Sequence, residues 1–299
     1  MNYRHAFHAG NFADVFKHLI LTYVLVHLQR KQTPIRVIDT HAGVGSYDLT
    51  SDEATRTGEW REGIGRLIAA RQIPEPGTQA ILKDDPVVSA YATAVASVDA
   101  NRQLADVGLK SYPGSPALAR SLLRPDDMLI ANELHPLDVQ ALRKYFARDP
   151  QVRILNLDGW LVPKSTLPPR ERRGVILIDP PFEVAGELDR LARAVRDGIK
   201  RFATGIYLLW YPIKDPVSLI EFKARIAEHT AGETLAIEIF IRAPDTPEKL
   251  NGCGLIIHNP PYGLTSWIEK VGPSLTDVLR QGTGASWRIE QLDGNRSAA

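Results

Sequence analysis

The chain of 299 residues is long enough for one large α/β domain, or for one domain carrying an insertion. Its 44% hydrophobic and 24% charged content is that of an ordinary folded protein, and a single cysteine, Cys253, excludes a disulfide framework and a cysteine-rich zinc site. A net charge of +1 argues against a protein that coats nucleic acid nonspecifically, so any RNA contact has to come from a local basic patch and a shaped pocket.

The opening residues Met1-Asn2-Tyr3-Arg4-His5 lack the apolar run of a secretory signal, and apolar stretches such as 19–28 are too short or too interrupted to span a bilayer. With the lone cysteine, this leads us to expect a cytoplasmic protein. Asn11 can cap a helix in which Phe12, Val15, Phe16, Leu19, Ile20 and Tyr23 keep the i, i+3, i+4 rhythm, with Asp14, Lys17 and His18 on the other face. After a turn at Thr33-Pro34, residues 35–39 read as a short buried strand. It runs into the glycine-bearing loop Thr40-His41-Ala42-Gly43-Val44-Gly45-Ser46.

From 48 to 109 the texture shifts to Ala, Arg, Gln and acidic residues, which predicts helices joined by Pro/Gly turns. The chain is therefore expected to divide into a main domain, 1–47 with 110–299, and a helical insertion subdomain, 48–109. Tyr112-Pro113-Gly114-Ser115-Pro116 is a turn cluster that opens another helix. Strand-like segments then recur at 128–132, 152–156, 174–178 and 205–210, and two more, 234–241 and 254–258, follow near the end. Alternating strands and helices predict an α/β fold with a mostly parallel, doubly wound sheet, finished by an antiparallel pair. The tail after Asp293 reads as frayed.

In such a sheet ligands sit at the carboxyl ends of the strands. Four consecutive predicted strands end in or lead into an acid: Asp39, Glu133, Asp158 and Asp179. That is the layout of a nucleoside cofactor laid across strand tips. Gly43 and Gly45 let the backbone come close to it, although their spacing is not a full dinucleotide fingerprint. Glu133 is placed to accept from both ribose hydroxyls, and Asp158 to accept from the adenine amine; for each alone, a helix N-cap is an equally good account.

Asp179-Pro180-Pro181-Phe182 is the most informative stretch. Two prolines fix the backbone and carry no N–H, so the Asp179 carboxylate and the Pro180 carbonyl become two acceptors facing one point. An exocyclic amine placed there gives both protons to hydrogen bonds, which frees its lone pair to attack a methyl sulfonium, while Phe182 offers a face for the flipped base. A competing copy, Asn259-Pro260-Pro261-Tyr262, fits the amine pattern in its residue types. Strand order favours the Asp179 copy, which comes one strand after Asp158; the Asn259 copy reads as a structural turn. Arg170, Arg172 and Arg173, with Lys200 and Arg201, form a basic cluster that is either a solvated face or a set of phosphate contacts. His5 and His8 lack partners at metal-ligand spacing, so no metal is expected.

The run Tyr3-Arg4-His5-Ala6-Phe7-His8-Ala9-Gly10-Asn11 with Asp14, Lys17 and His18 resembles the opening signature of RlmJ-type bacterial large-subunit ribosomal RNA adenine-N6 methyltransferases. So do Asp39-Thr40-His41-Ala42-Gly43, Tyr112-Pro113-Gly114-Ser115-Pro116, Glu133-Leu134-His135-Pro136, Asp158-Gly159, the Asp179 loop, and 201–207 with Trp210-Tyr211-Pro212. The resemblance implies a Rossmann-like class I methyltransferase fold with a helical subdomain inserted after the first strand. It implies S-adenosylmethionine contacts at His18, His41, Ser115, Glu133, Asp158, Gly159 and Asp179, RNA contact at Tyr3, and proton acceptance at Asp179. Phe182 stands where the family commonly has tyrosine, and the insertion is longer than usual.

The expected activity is therefore methylation of an adenine N6 in 23S ribosomal RNA, free or deproteinised rather than in an assembled subunit, by a monomer. DNA adenine, a protein amide nitrogen, a noncatalytic RNA-binding role and a nicotinamide dehydrogenase are the alternatives. The incomplete glycine fingerprint and the prolines after Asp179 count against the last.

Overall fold

The computed structural model describes residues 4–72, 78–98, 108–230 and 232–292. Asn11 caps the first helix, α1 (Phe12–Leu28), its side-chain oxygen accepting from the backbone N–H groups of Ala13 and Asp14 at 3.0 Å. The chain then forms β1 (Arg36–Asp39), β2 (Ser46–Asp48), and the helices α2 (Asp52–Thr57), α3 (Glu59–Glu62), α4 (Ile64–Gln72), α5 (Thr78–Asp84) and α6 (Pro86–Val98). Next come β3 (Ser111–Pro113), α7 (Ser115–Leu122), β4 (Met128–Asn132), α8 (Pro136–Tyr145), β5 (Val152–Leu155), α9 (Val162–Thr166) and β6 (Gly174–Ile178). The last third holds α10 (Glu187–Arg201), β7 (Ile206–Ile213), α11 (Ser218–His229), β8 (Thr234–Phe240), β9 (Gly252–His258), α12 (Leu264–Leu279) and β10 (Ser286–Gln291).

Eight strands make one sheet in the order β10-β8-β9-β7-β6-β1-β4-β5. From β5 to β7 the strands are parallel; β9, β8 and β10 are added antiparallel. This is the mostly parallel, doubly wound sheet that the strand–helix alternation predicts. β6, Gly-Val-Ile-Leu-Ile, is buried along its whole length because helices cover both faces of the sheet. Val37, Val175 and Leu177 face a core shared with α1, α7 and α12, while Ile38, Ile176 and Ile178 face a second core against α10 and α11.

The late strands refine the expected antiparallel finish. β8 and β9 do pair antiparallel, but β9 lies between β7 and β8, and the unforeseen β10 forms the edge. β7 runs on to Ile213 through Pro212, beyond the last residue paired with β6, Leu209. Pro212 therefore sits where β7 has a neighbour on one side only and needs no second ladder.

Between β1 and β4 the chain leaves through β2 and returns through β3, which pair with each other antiparallel from Ser46↔Pro113 to Asp48↔Ser111. The intervening helices pack back on the rest: α4 and α5 on α12, α6 on α1 and α7. Among the described residues no helix is long and apolar enough to cross a membrane.

The chain runs outward from β1 to β4 and β5, then returns to β6 on the other side of β1. That reversal opens a crevice at the carboxyl ends of β1, β4 and β6, where a doubly wound sheet binds its ligand.

Candidate active site

Asp39 closes β1 with its carboxylate buried to 1% exposure, accepting from the Ser115 hydroxyl at 2.6 Å and from the His41 backbone N–H at 3.3 Å. Burial, seconded by the nearby Asp179 charge, pushes this carboxyl up to about 7, against the Ser115 hydrogen bond. Ser115 opens α7, directly after the turn at Gly114, which is how the residues from 112 to 116 come to face β1. His41 lies in the same loop, its Nδ1 2.8 Å from the Thr40 hydroxyl and its ring edge-on to Trp160. Burial pushes His41 down to about 4, so the ring is neutral near pH 7.

At the tip of β4, Glu133 Oε2 accepts from the Gly43 N–H and Oε1 from the His135 N–H, both at 2.8 Å. The carboxylate is thus oriented by backbone; burial raises its pKa while the N–H groups of His135, Gly43 and Leu134 oppose the rise. Gly43 holds φ +65, and a Cβ there would lie 2.1 Å from the Tyr47 hydroxyl. At Gly159 a Cβ would lie 2.3 Å from His41 Nε2. The missing side chains let Tyr47 pack against the backbone at Gly43 and His41 against that at Gly159. Asp158 caps the short turn that follows β5, its Oδ1 accepting from the Trp160 N–H at 3.1 Å. The N-cap account of Asp158 therefore describes its local role, and it leaves the residue at the rim of the crevice.

Asp179 ends β6, and its Oδ2 accepts from Lys17 Nζ at 2.5 Å. Lys17 is 4% exposed and reaches Asp14 Oδ1 on its other side at 2.9 Å. Asp14 in turn accepts at Oδ2 from the Gly10 N–H and is 2.9 Å from His5 Nε2. Burial disfavours the Lys17 ammonium, but Asp14 and Asp179 outweigh it and hold its pKa well above the lysine range. The polar side of α1 is thus a buried chain of charges that reaches Asp179 at the end of β6.

Pro180 is buried, and its carbonyl accepts no hydrogen bond among the described residues. Phe182 takes φ +53, an unusual conformation for an aromatic residue and one that clusters at functional sites. Its ring packs against Trp210 at 5.6 Å, and Lys17 Nζ lies 6.0 Å from the Trp210 ring.

The structure brings Ser115, Glu133, His41, Gly159 and Asp179 to one end of the sheet, with His18 beside them on α1, where its Nδ1 meets the Tyr112 hydroxyl at 2.8 Å. Tyr3 lies outside the described residues. Asn259 is at the other end, because β9 runs antiparallel to β7. Its amide is spent on the carbonyls of Ala203 and Gly205, at 2.7 and 2.8 Å, where it pins the start of β7. Arg173, before β6, also lies at that far end and donates to the carbonyls of Leu28 and Thr33, so it ties α1 to β1. Sequence reasoning missed the pairing of Lys17 with Asp179; the signal was two opposite charges, Asp14 and Lys17, in an otherwise apolar helix. It also left Trp210 without a role. Among the described residues no group of three potential ligands that could hold a metal is found.

The donor and acceptor set suits S-adenosylmethionine: acceptors for ribose and amines at Glu133, Asp158 and Asp39, and a buried His18 Nε2 with no partner among the described residues. A doubly wound sheet with these acids across its tips and an Asp-Pro-Pro-Phe loop at β6 defines a class I, S-adenosylmethionine-dependent methyltransferase. The chain belongs to the family described as "Ribosomal RNA large subunit methyltransferase D, RlmJ", which matches residues 32–292. It is 36% identical over 293 residues to the Haemophilus influenzae protein named Ribosomal RNA large subunit methyltransferase J, covering 98% of this chain and 99% of that one. Its likeness to the Escherichia coli protein of the same name is 38% over 298 residues, 97% of this chain and 100% of the other. A crystal structure of a Legionella pneumophila protein superposes with a TM-score of 0.82 at 33% identity, covering 95% of this chain and 98% of that one.

Proposed function

We propose that this enzyme transfers a methyl group from S-adenosylmethionine to the N6 amine of an adenine in 23S ribosomal RNA. The observation that carries this is the pair of acceptors at the tip of β6, Asp179 and Pro180, beside an aromatic face. The cofactor supplies an electrophilic methyl group. The protein supplies the geometry. Lys17 occupies Asp179 Oδ2, which leaves Oδ1 for one amine proton, and the Pro180 carbonyl takes the other. With both N–H bonds so engaged, the nitrogen lone pair is turned out of conjugation with the ring and toward the methyl group. The Lys17 ammonium holds the Asp179 carboxylate in place to receive the proton that the amine loses. Phe182, braced by Trp210, stacks on the base, while Glu133 and Asp158 hold the cofactor's nucleoside and Asp39, with Ser115, its amino-acid end. Tyr3 contacts the RNA.

In this reading 48–109 is a helical insertion subdomain on a main domain made of 1–47 and 110–299. The enzyme works as a cytoplasmic monomer on free or deproteinised RNA, because a target adenine must be unstacked to enter the crevice.

The test is incorporation of labelled methyl from the cofactor into purified 23S RNA, assembled large subunits, DNA and protein, followed by mass-spectrometric mapping of N6-methyladenosine. Label in free 23S RNA at one adenine is the expected result. Label only in DNA or protein would overturn the substrate, and label only in assembled subunits would overturn the free-RNA requirement. Asp179→Ala is expected to abolish turnover while leaving the fold intact.

A further inference from the structure

Three buried polar rings run from the inserted helices to the cofactor crevice. Tyr91 on α6 and Tyr112 on β3 are fully buried, and His18 on α1 is 1% exposed. The Tyr91 and Tyr112 hydroxyls are 2.8 Å apart, and the Tyr112 hydroxyl is 2.8 Å from His18 Nδ1. The His18 and Tyr112 rings are stacked, 5.5 Å apart and within 12° of parallel. The remaining ring nitrogen, His18 Nε2, is buried with no hydrogen-bond partner among the described residues.

Three arrangements of hydrogens fit these distances. One, with His18 Nδ1–H and Tyr91 O–H both donating to Tyr112, strands the Tyr112 O–H and the Nε2 lone pair; the other two run in opposite directions. If His18 Nδ1–H donates to Tyr112 and Tyr112 donates to Tyr91, then the Tyr91 O–H has no acceptor and the Nε2 lone pair has no donor. Two buried polar groups are then unsatisfied. If Tyr91 donates to Tyr112 and Tyr112 donates to Nδ1, only the Nε2–H is left over. Each unmet buried group carries a large desolvation cost, so the last arrangement prevails. The ring is neutral as this requires, since burial pushes His18 down to about 3. A doubly protonated ring could accept nothing from Tyr112.

We propose that Tyr91 and Tyr112 are positioning residues that lock His18 in its Nε2–H tautomer and aim that N–H at an acceptor atom of the cofactor. The inference rests on the reading that the crevice beside His18 holds S-adenosylmethionine. It gives the inserted helices a part in cofactor binding at a distance, because Tyr91 reaches the crevice only through Tyr112 and His18.

The test pairs a spectroscopic measurement with a binding one, on the full-length protein. In the 15N-labelled wild type without cofactor, long-range 1H–15N correlation is expected to show His18 as a single neutral Nε2–H tautomer. A Nδ1–H pattern would overturn the proposal whatever the variants do. By calorimetry with S-adenosylmethionine and its demethylated product, Tyr112→Phe is expected to weaken binding about tenfold and to give a mixture of His18 tautomers. Tyr91→Phe, one bond further away, is expected to weaken binding about threefold. A Tyr112→Phe protein that loses only thermal stability, with its tautomer and affinity unchanged, would make the tyrosines packing residues and overturn the relay. His18→Ala separates the two levels. Unaltered affinity in that variant means His18 does not meet the cofactor; weakened affinity there with none in Tyr112→Phe refutes the relay alone.

Discussion

The Lys17 ammonium and the Asp179 carboxylate, 162 positions apart in the chain, meet at 2.5 Å between the first helix and the tip of β6. Asp14 holds the same ammonium from the other side at 2.9 Å. One lysine thus balances two acids, the buried Asp14 and the half-buried Asp179 proposed to be catalytic. Lys17→Met should lower kcat by at least about a hundredfold, since Asp179 loses the hydrogen bond that orients it. It also leaves uncompensated acids, which costs about 3–5 kcal/mol of stability. The double variant Lys17→Met with Asp14→Asn should recover most of that stability by chemical denaturation and none of the turnover.

In the proposed mechanism Phe182 stacks on the target base and gives it no hydrogen bond. Phe182→Ala should weaken binding of an RNA fragment bearing the target adenine by about tenfold, in line with about 1–3 kcal/mol per stacked base. Phe182→Tyr should bind as the wild type does. A Phe182→Ala protein with undiminished RNA affinity would show that the base stacks elsewhere.

Asn259 provides the control for the second Pro-Pro turn. Its amide holds two carbonyls at the start of β7. Asn259→Ala should therefore cost about 1–3 kcal/mol in denaturant unfolding, while kcat per folded molecule stays within about twofold. A collapse of kcat at unchanged stability would move the catalytic assignment to that turn.

Asp39 makes the cofactor-free protein sensitive to pH in a definite direction. Its folded-state pKa, about 7, lies above the ordinary carboxyl value, so between roughly pH 4 and 7 the native state binds more protons at this site than the unfolded state. Its contribution to stability is present at the acid end and is lost as pH rises through the folded pKa. Asp39→Asn removes that dependence. The melting temperature of the variant relative to wild type should climb by about 3 °C or more between pH 4.5 and 8. A constant difference across that range would refute a protonated Asp39.

Much of the architecture was legible because β4 and β6 are uninterrupted apolar runs between helices, a pattern that only a covered parallel sheet uses. β10 escaped notice: in Ser286-Trp287-Arg288-Ile289-Glu290-Gln291 only two side chains, Trp287 and Ile289, pack inward, as on an edge strand. β2 and β3 were too short for any periodicity, and their pairing is a contact across the whole insertion. At the site, the acids at strand ends and the Asp-Pro-Pro-Phe loop announced themselves by position. The partners that tune them did not. Asp14, Lys17 and His18 occupy the side of α1 that a surface helix would give to water, and only tertiary packing turns that side toward β6. Tyr91 and Tyr112 look like core aromatics in the sequence, and it is their hydroxyls that matter.

Helix α1 is buried nearly all round, against α6, α7, β6 and β9, with Tyr23 packed on Trp267 of α12. It also leaves the ribosome ahead of every described strand of the sheet, long before β9 and α12. At about 5–20 residues per second, its apolar sides wait roughly 10 to 50 s for those covers. A nascent chain stopped before β9 carries a greasy helix with no place to dock, so such fragments should depend on chaperones where the chain carried through α12 does not.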